Sequence, residues 1–230
     1  MTYPHTHNYM NIKPLSAALI MLAAFTIMTA CGMRDRQAEG FTEAELALIH
    51  GSDSIMRVLT IDATSDLAVL RSLSYDLSDS ALLSDDFKRL AELMVATVTH
   101  PSQDGVGIAG PQVGLNRRVI AVQRFDKEGE PFEVYPNVRI VWASDSLAAG
   151  PEGCLSVPDK RGDVLRSQEI VIEYADIAGV EQSQQEIRLK PNRCAKPVPM
   201  VRDTVSGFTA VIFQHEVDHL DGVLYIDRLR

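Results

Sequence analysis

Apolar and polar positions follow distinct periods in successive segments of this chain, and the periods predict its elements. Over Asp85–Val98, the apolar residues Phe87, Leu90, Leu93, Met94 and Val98 recur at helical spacing. Asp85, Asp86, Lys88, Arg89 and Glu92 fill the gaps, so an amphipathic helix is expected. Pro101 ends it, and the turn-rich run Ser102–Gly107 follows. Arg118–Gln123 is an apolar run of strand length, and Asp126-Lys127-Glu128-Gly129 marks a turn into a further extended segment. Val138–Trp142, Gln168–Tyr174 and Gln185–Leu189 read as strands, the last two joined into a hairpin at Asp176–Gly179. Three prolines between Pro191 and Pro199 exclude a helix or a central strand there. Phe208–Leu220 is helical again. These elements predict one α+β domain over residues 56–230, with antiparallel strands packed around a central helix. No internal repeat interrupts it.

The front of the chain has a different pattern. Leu15–Met28 is an unbroken apolar run of about 14 residues, against roughly 20 needed for a spanning helix. Lys13 before it and small residues after it describe a secretory signal. The ending Met28-Thr29-Ala30-Cys31-Gly32 resembles a bacterial lipoprotein signal, in which Cys31 becomes the acylated first residue of the mature protein. Residues 1–9 are unlike the start of a signal, and Met10 is the better candidate start. The expected organisation is a signal over residues 1–31, a polar tether over 32–55 with a short helical patch at Glu43–Ile49, and the globular domain. That places the protein at a membrane of the cell envelope through a lipid on Cys31, with the cytoplasm as the alternative.

Composition narrows the classes. With 230 residues the chain has room for one well-buried domain and a modest extension. An apolar fraction of 46% with 23% charged residues excludes a wholly disordered or fibrous chain. The net charge of −9 argues against nucleic-acid binding, which needs a clustered basic surface. Three cysteines, Cys31, Cys154 and Cys194, are too few for a disulfide framework, and Cys194 reads as a free thiol.

The sharpest chemical signal is His215-Glu216-Val217-Asp218-His219. Residues four apart on a helix share a face, so the two imidazoles can converge on one ion with Glu216 beside its open side. Apolar residues Ala210–Phe213 and Leu220 flank the pentad, and Gly222 is a helix stop. A catalytic metal site of this kind takes a third protein ligand. Only eleven residues follow His219, with Asp221 and Asp227 their acidic members, so the third ligand is expected upstream. Glu152-Gly153-Cys154-Leu155-Ser156, between Pro151 and Pro158, offers a thiol; the bland alternative is a small buried hydrophobe. Gly105–Gly114 is rich in small residues but lacks the Lys-Ser/Thr ending of a phosphate loop, and Pro111 is out of place in a dinucleotide turn. It reads either as a tight turn or as backbone approaching a ligand cleft closely, with Gln112 as its polar handle.

Together, Gly105–Gln112, Glu152–Ser156 and Gln214–Gly222 resemble, in this order, three motifs of the peptide deformylases. The resemblance covers about residues 56–229. Gly110 stands where that family usually has a second Ala, Val211 where many members have Arg, and the Pro-rich stretch 191–199 is extra length. The resemblance implies one divalent metal held by Cys154, His215 and His219: Fe²⁺ first, with Zn²⁺ or Ni²⁺ as substitutes. It implies Glu216 as the general acid/base, and Gln112 with the backbone N–H of Leu155 as donors to the developing oxyanion. Gly107 and Arg161 are implied as substrate contacts. The implied reaction is removal of the N-formyl group from N-formylmethionyl peptides by a monomer. Two alternatives remain beside it: a retired enzyme kept as a binding lipoprotein, and a metallopeptidase. The second leaves Glu152–Ser156 unexplained.

Overall fold

A computed structural model describes residues 38–177, 179 and 199–230. In chain order the described elements are β1 (Ala38–Glu39), α1 (Glu43–His50), α2 (Thr64–Leu70), β2 (Asp76–Leu77), α3 (Asp79–Leu82) and α4 (Asp85–Val98). Strands β3 (Gly107–Ala109), β4 (Val119–Gln123), β5 (Phe132–Pro136) and β6 (Arg139–Ala143) follow. Then come β7 (Leu147–Cys154), β8 (Val157–Ser167), β9 (Glu169–Ala175), β10 (Met200–Ser206) and α5 (Gly207–Leu220). The strands form three antiparallel sheets, ordered β3-β4-β5, β10-β9-β6 and β7-β8, and one short parallel pair, β1-β2. The fold is α+β, as the sequence predicts.

Strand β4 shows why the sheets enclose a helix. Val119 and Ala121 face a core shared with α4, where Phe87, Leu90 and Met94 are buried, while Ile120 and Val122 face a second core built around α5. A strand buried on both faces must be apolar at every position, which explains the unbroken run Val119–Val122. α4 starts where expected, with Ser84 Oγ accepting the Phe87 N–H at 3.1 Å and two acidic residues in its first turn. α5 is apolar around most of its circumference because it is central. Ala210, Ile212, Phe213, Val217 and Leu220 are all buried, packed against β4 and against β9 and β10. Gly222 ends it at φ 71°, where a Cβ would also meet the Arg71 carbonyl oxygen at 2.5 Å.

Two expectations need correction. Strand β9 is flanked by β6 and β10, so its hairpin-like neighbour is Met200–Ser206 rather than Gln185–Leu189. The segment 185–189 and Pro191 to Val198 lie outside the described residues, as does part of the expected turn Asp176–Gly179. Met200–Ser206 has no clean alternation to advertise it, since most of it is exposed and it is recruited by pairing along the whole of β9.

The second correction concerns the tether. Residues 38–55 belong to the domain: α1 is closed by a capping box from Thr42 to Glu45, and Ile49 is fully buried in the α4 core. Glu45 forms a two-point ion pair with the buried Arg117, at 2.7 and 2.8 Å, and Arg117 also donates to the Gly40 carbonyl. A chain beginning at Met56 therefore loses the burial of Ile49, worth about 2 kcal/mol, together with the Glu45–Arg117 pair. Thermal melts should place it at least about 4 °C below the longer chain. An unchanged midpoint would mean that α1 is an appendage.

Candidate metal centre

α5 leaves β10 at Ser206 and Gly207, so its start is fixed by the sheet. It is also held from the side: Gln214 accepts the Ser167 N–H and donates to the Ser167 carbonyl, at 3.0 and 2.9 Å, continuing the ladder of β8 into the helix. With the helix pinned, His215 and His219 face the end of β7. There β7 turns tightly into β8 through Leu155 and Ser156, at a register shift between Gly153 and Cys154. Pro151 and Pro158, on either side of the Glu152–Ser156 segment, lie within the strands of this hairpin. A two-stranded sheet consists only of edge strands, which tolerate proline.

This geometry brings the three ligand atoms of Cys154, His215 and His219 within 4.8 Å of one another. Cys154 Sγ lies 3.2 Å from His219 Nε2. His215 Nδ1 is engaged by Glu152 Oε2 at 2.8 Å, which leaves Nε2 free as the ligating nitrogen. Burial disfavours a charged His215, but the Cys154 sulfur and the Glu152 carboxylate outweigh it and push the imidazole up to about 10. His219, completely buried and beside the His215 charge, is held well below the ordinary histidine value. The cluster thus demands positive charge between a thiol and a carboxylate while keeping one imidazole neutral. A divalent cation on S and N donors meets that demand, so the residues fit a metal.

Behind the ligands runs a buried ionic chain that sequence reasoning missed. Arg166 donates to both oxygens of Glu152, at 2.8 and 3.0 Å, and to Asp218 Oδ2 at 2.6 Å. Arg228 closes on Asp218 from outside at 2.6 and 2.7 Å. Burial raises the Glu152 carboxyl, but the bonds from His215 and Arg166 bring it down to about 2. Such a chain contributes little net stability, because its desolvation cost offsets its attraction, but it fixes the His215 ring. Glu152 and Asp218 lie inside the recognised motifs; no pattern around Arg166 marks it.

Glu216 is 4% exposed, and its Oε2 has no hydrogen-bond partner among the described residues. Burial, opposed by the His215 charge, pushes its carboxyl up to about 7. It faces a cleft of about 760 Å³ whose lining includes Gly107, Gln112, Cys154, Leu155 and Arg161, so of the residues expected to bind metal, catalyse or contact substrate only the deeper His219 is not among its lining. Arg161 is exposed at the rim, its side chain lying over Gly153 with the guanidinium carbon 3.8 Å from where a Cβ would be. Gly107 has a task besides lining the cleft. A Cβ there would stand 2.5 Å from Glu216 Oε1 and 2.9 Å from both Glu216 Cγ and Ile212 Cγ2. Gly107→Ala is therefore expected to displace the carboxylate and lower kcat about 100-fold, with metal content unchanged. Steady-state kinetics beside metal analysis checks this, and a wild-type kcat would show that Glu216 does not depend on that space. Gly110, which replaces the usual Ala, is needed by this chain. A Cβ would meet the carbonyl oxygens of Arg117 and Leu115 at 2.6 and 2.8 Å.

A cysteine sulfur, two imidazoles and a buried carboxyl group at the floor of a cleft are the parts of a metal-dependent hydrolase. The family model for polypeptide deformylase matches residues 55–191 and 199–230, and the chain belongs to that family. It is 38% identical over 163 residues to peptide deformylase 2 of Gloeobacter violaceus, covering 70% of this chain and 74% of that protein. With the peptide deformylase of Leptospira biflexa the identity is 34% over 170 residues, 70% of this chain and 83% of that one. The structure of class I type b peptide deformylase from Acinetobacter baumannii bound to Met-Ala-Ser superposes with a TM-score of 0.60. That match is 31% identical and covers 76% of this chain and 98% of that one.

Proposed function

We infer that this protein is a metal-dependent peptide deformylase, hydrolysing the N-formyl group of N-formylmethionyl peptides or proteins to formate and a free amine. The observation that carries the reading is the convergence of Cys154, His215 and His219 within 4.8 Å, with the unpartnered Glu216 beside them in the cleft. When bound there, a divalent metal supplies Lewis acidity and brings a water towards ionisation at neutral pH. Glu216 takes the proton of the attacking water and delivers it to the departing amine. Gln112, with its amide nitrogen 3.6 Å from Cys154 Sγ, and the backbone N–H of Leu155 act as donors to the charge that develops on the formyl oxygen, each worth about 3 kcal/mol. Gly107 and the rim residue Arg161 contact the peptide. Fe²⁺ is the proposed native metal; the mixed S and N donors also suit Zn²⁺ and Ni²⁺. We take the working form to be a monomer. Release of formate from formyl-Met-Ala-Ser by the purified, Fe²⁺-loaded chain tests the reading. No formate from a folded, metal-replete protein would favour the retired, binding form instead.

We propose further that Cys31 is acylated and anchors the enzyme in the cell envelope, so that its substrates are free formyl peptides or translocated proteins. Support comes from the apolar run Leu15–Met28 and the small residues before Cys31. Labelling cells with a palmitate analogue tests this. Label in the membrane fraction on the wild type and none on Cys31→Ala supports the anchor, and an unlabelled cytosolic protein refutes it.

A further inference from the structure

Ser156 ends the Glu-Gly-Cys-Leu-Ser run without a role in the chemistry above. It is fully buried, it does not line the cleft, and its Oγ lies 3.3 Å from Gln112 Nε2. Gln112, 1% exposed, accepts the Ala109 N–H on Oε1 at 2.8 Å, and its Nε2 lies 3.6 Å from Cys154 Sγ. The Ala109 N–H settles the orientation of this amide. Reversed, two donors would face each other and a buried N–H would lose its acceptor. The NH₂ group must therefore point at Ser156 and Cys154, and it has one hydrogen for each.

We propose that Ser156 is a positioning residue. Its hydroxyl oxygen holds one amide hydrogen of Gln112, so that the other is presented at Cys154 Sγ and at the place where charge develops on the formyl oxygen. Three acceptors and donors then define the amide plane: the Ala109 N–H, the Ser156 hydroxyl and the ligand sulfur. Without Ser156 the Ala109 N–H still sets which way the amide faces, but the buried NH₂ group keeps only one fixed partner, and small rotations about its last torsion, which is broad, are no longer opposed there. The loop itself does not depend on the hydroxyl, because the Ser156 carbonyl accepts the Ile61 N–H at 2.9 Å. An N–H donated to a ligand sulfur also draws charge from it, so the same lock tunes the metal's thiolate.

The assignment rests on the deformylase reading for its kinetic part alone. The test compares Ser156→Ala, Gln112→Ala and the double variant in the full chain, with formate release and the thiolate-to-cobalt charge-transfer band of the Co²⁺ form as readouts. Ser156→Ala should lower kcat about tenfold, a fraction of the 100-fold or more expected for loss of a donor, and leave KM unchanged. Its band should shift in the direction given by Gln112→Ala, and the double variant should match Gln112→Ala alone. Ser156→Cys, of similar size but a weaker acceptor, should fall between wild type and Ser156→Ala. Losses that multiply in the double variant, or a Ser156→Ala form with wild-type kcat and band, would overturn the proposal. A wild type that releases no formate counts against the deformylase reading instead, and the cobalt band still reports the link from Ser156 through Gln112 to Cys154.

Discussion

Glu216→Ala is expected to keep its metal and lose its turnover, with kcat down about 1,000-fold or more, within the range for a general acid/base. The separation follows from position. Glu216 lies between the two ligand histidines on α5, but only Cys154, His215 and His219 form the cluster, while its own Oε2 is buried without a partner among the described residues. A carboxyl so placed is costly to the fold, and burial holds it up at about 7. The variant should therefore melt no lower than the wild type, and higher if the penalty is fully relieved. Metal per chain, formate release and the melting midpoint form the decisive set. Substantial residual hydrolysis would remove Glu216 from the proton path, and loss of metal would make it a ligand.

Cys154→Ser should instead lose the metal. The sulfur is the only non-histidine donor of the cluster, and it is a soft one. Serine keeps the shape but is not ionised at neutral pH and lies outside the preferences of such ions. Loss of an outer partner typically costs 10–100-fold in affinity, so loss of the ligand itself should exceed about 100-fold. Competition with a chelator measures this directly. Turnover should fall with occupancy and return in part at high metal concentration, which distinguishes this variant from Glu216→Ala. Wild-type affinity would show that the sulfur is a bystander.

The sequence alone was enough for the elements whose pattern is local. The helix Asp85–Val98 was legible to the residue, because one face of a surface helix must be apolar and charged residues fill the positions between. α5 was legible within one residue from its apolar flanks, its paired histidines and Gly222. The ligand histidines and Glu216 were visible for the same reason: four residues on a helix is a geometric statement. Cys154, Gln112, Leu155 and Arg161 became readable only through motif resemblance, since nothing in a lone cysteine or glutamine says what it will face. The tertiary structure decided what depends on distant segments meeting. It paired Met200–Ser206 with β9, drew α1 into the domain through Ile49 and the Glu45–Arg117 pair, and set Arg166 behind Glu152 and Asp218. It also showed that Gly107 is a glycine because Glu216 occupies the space of its side chain. A buried charge or a missing Cβ leaves no period along a chain. Its cause is a neighbour 14, 52 or 109 residues away, present only after the sheets close around α5.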